Sequence, residues 1–202
     1  TNLTATEIFD YDVGDEFHTV WKNYENLSYY FWDKREIINV LEKTTSLNQD
    51  TLTYVYERCL TIIQNSSSST WNPDTTYAFD TITSKIILSN YTNLALLTNE
   101  PLDSFNYLGS GNGYCQFYFD LNKNKRVKSI YNLYNQDSID CWTDIIVNGV
   151  PYNYTFIEGL GGGFTVGETG YFENYDNGTF SYLPVYYKKG TEVWGTPLDC
   201  NP

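Results

Sequence analysis

Few residues in this chain combine types and spacing that could support chemistry. The sole histidine, His18, lies in the alternating run Glu16-Phe-His-Thr-Val20, so any Ser-His or Cys-His nucleophile would have to use it. No Gly-x-Ser-x-Gly elbow accompanies it. One histidine also excludes a His-rich metal site, and Cys59, Cys115, Cys141 and Cys200 contain no Cys-x-x-Cys pair suited to zinc or thiol exchange. Asp120-x-Asn122-x-Asn124 imitates the opening of a calcium loop. Lys125 stands where that loop needs glycine and Tyr131 where it needs a bidentate glutamate, so a hairpin turn is expected instead.

The segment Glu158-Gly-Leu-Gly-Gly-Gly-Phe164 follows a strand-like run, as a phosphate-binding loop would. Neither Lys-Ser/Thr nor a helical pattern comes after it, so the glycines read as a tight crossover or bulge that needs positive φ. Glu158 is an acid in this otherwise apolar and Gly-rich setting. A paired-carboxylate glycosidase is the catalytic class that 25 acidic residues leave open, with Glu158 as a candidate against a turn-stabilising hydrogen bond. No metal or other cofactor is expected. The stronger chemical signal is aromatic: 20 Tyr, 11 Phe and 5 Trp offer flat faces that stack on sugars or pack a core. Trp71, inside the polar insertion Asn65–Thr76, and Trp194, near a closing turn, are the candidate glycan contacts.

The elements that must position these residues read as strands. Thr, Asn and Tyr dominate, and in Val150-Pro-Tyr-Asn-Tyr-Thr-Phe-Ile157 the aromatics at 152, 154 and 156 fall on one face. Similar alternation marks Phe17–Trp21, Thr51–Arg58, Thr76–Leu88, Tyr114–Phe119, Val127–Leu133 and Phe180–Lys188. Asp176-Asn177-Gly178 and Leu121–Lys125 supply hairpin turns. Asp33-Lys-Arg-Glu36 has the spacing of a helix capping box, yet a strand from Ser28 to Glu42 is favoured by the β-branched residues that follow. The expected fold is all-β: a single antiparallel sheet domain over residues 1–202, with at most short helices.

Composition narrows the partners. A net charge of −13 without any basic block argues against nucleic acid and anionic lipid, and no apolar run approaches the roughly 20 residues of a membrane helix. Thr1, in a chain without methionine, suits a removed export signal or a chain boundary. Four cysteines read as two disulfides in an exported protein, with four buried free thiols in a cytosolic one as the alternative; of three connectivities, Cys115–Cys141 with Cys59–Cys200 is preferred because Cys115 and Cys141 flank a plausible hairpin.

Ile8-Phe-Asp-Tyr-Asp-Val-Gly-Asp-Glu-Phe-His18 resembles the opening of many secreted Bacteroidota proteins of unknown function. Tyr154-Thr-Phe-Ile-Glu-Gly-Leu-Gly161 and Tyr186–Cys200 resemble their closing segments. In such proteins a domain like this is commonly followed by a type IX secretion sorting domain. The resemblance implies an exported or cell-surface β-domain, open and lipocalin-like as a half-barrel, and transfers no catalytic residue. It also brings an O-glycosylation pattern in which Asp precedes Ser or Thr and a small or aliphatic residue or Thr follows. Thr51, Thr75, Thr81 and Ser138 fit it, where composition alone supplies about one such site.

The functional expectation is therefore an exported or cell-surface binding domain, more a binder than an enzyme, that engages glycans or surface partners through exposed aromatics. The alternatives are a carbohydrate hydrolase using paired carboxylates and a structural surface protein that self-associates through sheet edges.

Overall fold

The computed structural model describes residues 3–25, 31–65, 70–91, 112–133, 153–169 and 178–200. The fold is all-β. Its one described α-helix, α1 (Ala5–Ile8), is a single turn closed by a capping box between Thr4 and Glu7, and a short 3-10 helix covers Leu88–Tyr91. The strands pair antiparallel throughout, as the alternation predicts, and are described in two compact units. In neither unit do the described pairings close a barrel.

One unit comprises Tyr11–Ile87 and Glu168–Pro202. Its sheet contains β1 (Glu16–Glu25), β2 (Phe31–Thr45), β3 (Thr51–Asn65) and β4 (Asp74–Ile87), which run as successive hairpins. The strand numbered β9 (Gly178–Lys189) pairs with β1, and β10 (Glu192–Gly195) with β9, giving the order β4-β3-β2-β1-β9-β10. Antiparallel partners share a face, so the register sorts the side chains. One face buries Phe17, Val40, Leu52, Tyr54, Tyr56 and Tyr187, with Tyr11 packed over them at 4.8 Å from Phe17 and 5.0 Å from Tyr54. The other face carries His18, Ile37 and Cys59 in one row across three strands.

The other unit comprises Thr1–Asp10 and Leu88–Gly167. Its sheet is β5 (Asn112–Asp120), β6 (Lys125–Leu133), β7 (Asn153–Ile157) and β8 (Gly161–Thr169) in sequential order. Leu3, Ile8, Phe9, Val127, Phe156, Ile157, Leu160 and Phe164 form its core, and Tyr91 joins Phe9 at 4.8 Å.

Strand pairing decides the ambiguous segment around Asp33. From Phe31 to Asn39 the chain is held by β1 on one side and β3 on the other, and β3 accompanies it on to Thr45, a ladder that a lone helical turn could not match. The Asp33 carboxylate takes the Arg35 guanidinium two residues on, in place of the backbone N–H groups of a helix N-terminus. Residues 28–30 lie outside the described residues, as does the expected Asp176–Gly178 turn through residue 177.

Candidate functional site

The two candidate glycan contacts sit on opposite faces of the same sheet. Trp71 follows β3 and stacks on Phe31 with ring centroids 4.7 Å apart and planes 17° from parallel, yet remains 62% exposed. Phe31 pairs with Asn65 and shares the face of Cys59, so that face carries Trp71. Trp194 lies opposite Tyr187, on the face of the aromatic core, and stacks on it at 6.0 Å. Tyr187 is buried and its hydroxyl donates to Glu192 Oε1 at 2.9 Å. Trp194 thus leans on the core, whereas Trp71 presents an open ring on a rigid backing.

Near Trp194 the chain forms an open cleft of about 330 Å³ lined by Asp12, Val13, Gly14, Asp15, Lys189, Gly190 and Glu192. Asp15, which is buried, anchors it. Its carboxylate accepts from the Asp12 N–H at 2.8 Å and from Lys189 Nζ at 2.8 Å, while its backbone joins Val40 at the bulge in β2. The ammonium on Asp15 makes this corner a structural clamp.

Alternation alone did not single out a third group, because only register assembles it. Trp21 and Trp32 meet edge to face at 4.6 Å on the core-bearing face, and Trp32 Nε1 donates to Gln64 Oε1. Beside them Lys34, Glu36, Arg58 and Asp80 form a charged line across β2, β3 and β4. Arg58 holds Asp80 in a bidentate pair at 2.9 and 2.6 Å, so hydrogen bonding from Arg58 keeps that carboxyl below its usual range.

His18 is a structural residue. It is buried, Nε2 donates to Glu16 Oε1 at 2.6 Å, and Nδ1 accepts the Leu198 N–H at 2.8 Å. Both partners together fix the neutral Nε2–H tautomer. Leu198 belongs to a strap that leaves β10 at Gly195, where φ is +86° and a Cβ would collide with the Val185 carbonyl. The strap then crosses the sheet to the Cys59–Cys200 disulfide, whose Cα atoms are 6.0 Å apart. Tyr186, His18, Ile37 and Cys59 lie opposite one another, three strand spacings or about 14 Å in all. Five extended residues, Thr196 to Cys200, reach about 17 Å, enough for that crossing.

Burial drives the His18 pKa below its ordinary value, while Glu16 opposes the shift. A base whose folded pKa is depressed takes up protons in the unfolded chain first, so its contribution is complete above about pH 6.5 and fades as pH falls below that. His18→Gln is expected to remove this limb from the pH dependence of unfolding, as measured by urea titration at stepped pH.

Glu158 holds a turn and does not resemble a general acid. Arg126 clamps it through Nε at 3.0 Å and Nη2 at 2.6 Å, and the Arg126 backbone N–H adds a third bond at 3.2 Å. The same guanidinium reaches Glu7 at 2.8 Å, and the Glu7 carbonyl accepts from Gly159 N–H. Hydrogen bonding from Arg126 keeps the Glu158 carboxyl below its usual range, whereas protonating a leaving group needs a raised one. The Glu7 carboxyl is also lowered: burial raises it, and bonds from Thr4 and Arg126 outweigh that effect. Because depressed acids stabilise above their unfolded pKa of about 4.3, the clamp is lost as pH falls through and below that value. Arg126→Met is expected to cost about 2 kcal/mol near neutral pH, less than the roughly 3–5 kcal/mol of a fully buried pair because solvent reaches all three side chains. Thermal unfolding at pH 7 and pH 3 checks this, with the difference between variant and parent shrinking at the lower pH.

The glycine run makes the β7–β8 turn, with positive φ at Gly159, Gly161 and Gly163. At Asp120 the carboxylate accepts the Asn122 and Lys123 N–H groups and pairs with Lys123 Nζ at 2.6 Å, so a hairpin turn stands where the calcium loop was considered. Among the described residues no group of three His, Cys, Asp or Glu side chains is placed to hold a metal. Thr75 and Thr81 are exposed on β4 and Thr51 is half-buried at the start of β3. Ser138 and the Cys115–Cys141 pairing lie outside the described residues, since position 141 and the side chain at 115 do. No described helix is long and apolar enough to cross a membrane.

No protein-family model matches the chain, and no curated protein or solved structure matches it either.

Proposed function

We propose that this protein is an exported or cell-surface binding domain that engages neutral glycans through exposed aromatic rings, with Trp71 as the principal contact and Trp194 as a secondary one. The observation that carries the reading is the Phe31–Trp71 stack. A tryptophan pinned by one ring face keeps the other open at little entropic cost, as a sugar platform requires. The Cys59–Cys200 bridge supports an oxidising compartment, and the resemblance of Ile8–His18 to secreted Bacteroidota proteins supports export. A chain of charge −13 gains little from acidic polysaccharides, so binding should respond to stacking area more than to salt.

A glycan array followed by calorimetry on the best hit is the test. Trp71→Ala should weaken binding at least about tenfold, in keeping with loss of a tryptophan hot spot, while leaving the unfolding midpoint within a few degrees. An array without hits at high protein concentration, or a hit indifferent to Trp71→Ala, overturns the reading.

A further inference from the structure

We propose that β4 is an interface between two copies of this chain, joined as an antiparallel β4–β4 pair about a two-fold axis at Thr81. Among the described pairings β4 bonds to β3 alone, over its whole length and without a register shift. Among the described residues its other edge offers a row of backbone donors and acceptors from Thr76 to Ile87, the Thr75 N–H being taken by the Asp74 carboxylate at 2.9 Å. The guards that usually blunt such an edge are missing here: within the strand there is no proline, no bulge, and a single lysine. Tyr77 and Phe79 stand 48% and 69% exposed beside it.

Symmetry restricts the register. When a two-fold axis perpendicular to the sheet continues it through two copies, opposed residues share a face, so their numbers sum to an even value. An axis at Thr81 opposes 13 residues of each strand, 75 through 87. It sets Lys85 over Tyr77 twice, Phe79 over Thr83, and Thr76 over Ile86, with no like charges opposed. Moving the axis to position 80 sets Asp80 against its own copy. Moving it to position 79 shortens the overlap to 11 residues and puts Lys85 opposite Pro73.

Thirteen opposed residues give about 13 backbone hydrogen bonds, against roughly ten in a typical protein interface. The local charge also permits the approach. Asp80 is neutralised by Arg58, which leaves Asp74 and Lys85 on each strand. The net −13 of each copy acts from a distance and is screened by salt, so the pair should tighten as ionic strength rises.

Sedimentation velocity of the recombinant, unglycosylated chain over a concentration series, at low and high salt, tests the interface. A monomer–dimer equilibrium that shifts toward dimer in high salt is expected, with Thr81→Lys shifting it to monomer while retaining the parent circular dichroism. A cysteine on the axis faces its own copy at about 4.5–5.5 Å, within reach of a disulfide. Thr81→Cys should therefore yield a covalent dimer in a glutathione redox buffer, and Thr75→Cys, which faces Ile87, should not. A monomer at every concentration and salt overturns the proposal, as does a dimer insensitive to Thr81→Lys. A chain that stays monomeric yet captures a synthetic extended peptide shows the edge to be a peptide site and overturns the two-copy assignment.

Discussion

Replacing Cys200 with serine is expected to lower the unfolding free energy of the sheet that carries it by about 4–5 kcal/mol. The bridge closes 141 residues of chain, and loop closure of that size sits at the upper end of disulfide stabilisation. The loss extends beyond chain entropy. Without the covalent end, the strap from Thr196 onward is held by the Leu198–His18 and Thr196–Val185 hydrogen bonds, and fraying there exposes buried His18 and Cys59 to water. Urea unfolding without reductant measures the change. A loss below about 1 kcal/mol would show that the strap is held by packing and not by the bridge. The pH limb assigned to His18 should weaken in the same variant, because its Nδ1 partner is then free to leave.

The second large effect is expected at Tyr54. It is fully buried, its ring lies 5.0 Å from Tyr11 and 5.8 Å from Tyr56, and its hydroxyl accepts the Tyr11 N–H at 3.4 Å. Tyr54→Ala removes a large aromatic from the middle of the sheet's packed face and should cost about 3–5 kcal/mol. Tyr54→Phe keeps the ring and gives up one long hydrogen bond, for about 1 kcal/mol. Equilibrium denaturation of the pair separates the two terms. Equal losses would mean that the hydroxyl, and not the ring volume, holds the Tyr11 segment in place.

The strand content was legible because its signal is local. In Thr51–Glu57 the even positions Leu52, Tyr54 and Tyr56 are apolar, and all three are buried. Turn chemistry was legible for the same reason, as Asp120 and the glycines after Glu158 show. Resemblance pointed to the segment Tyr186–Cys200 without saying what it does. The strap is visible only once β9, β1, β2 and β3 are set side by side. Trp21 and Trp32 were unremarkable in sequence, because their meeting depends on which residue of β1 faces which residue of β2.

By itself, then, the sequence determined that this chain is all-β, acidic and rich in aromatics, since composition, period-two alternation and turn residues act over a few positions. Tertiary structure decided the grouping into two compact units, the Cys59–Cys200 pairing, the opposite faces of Trp71 and Trp194, the buried neutral state of His18 and the capture of Glu158 by Arg126. Each of these depends on strand register and order. A one-residue slip would carry every side chain of a strand to the other face, and that choice is made by the packing of all the strands together.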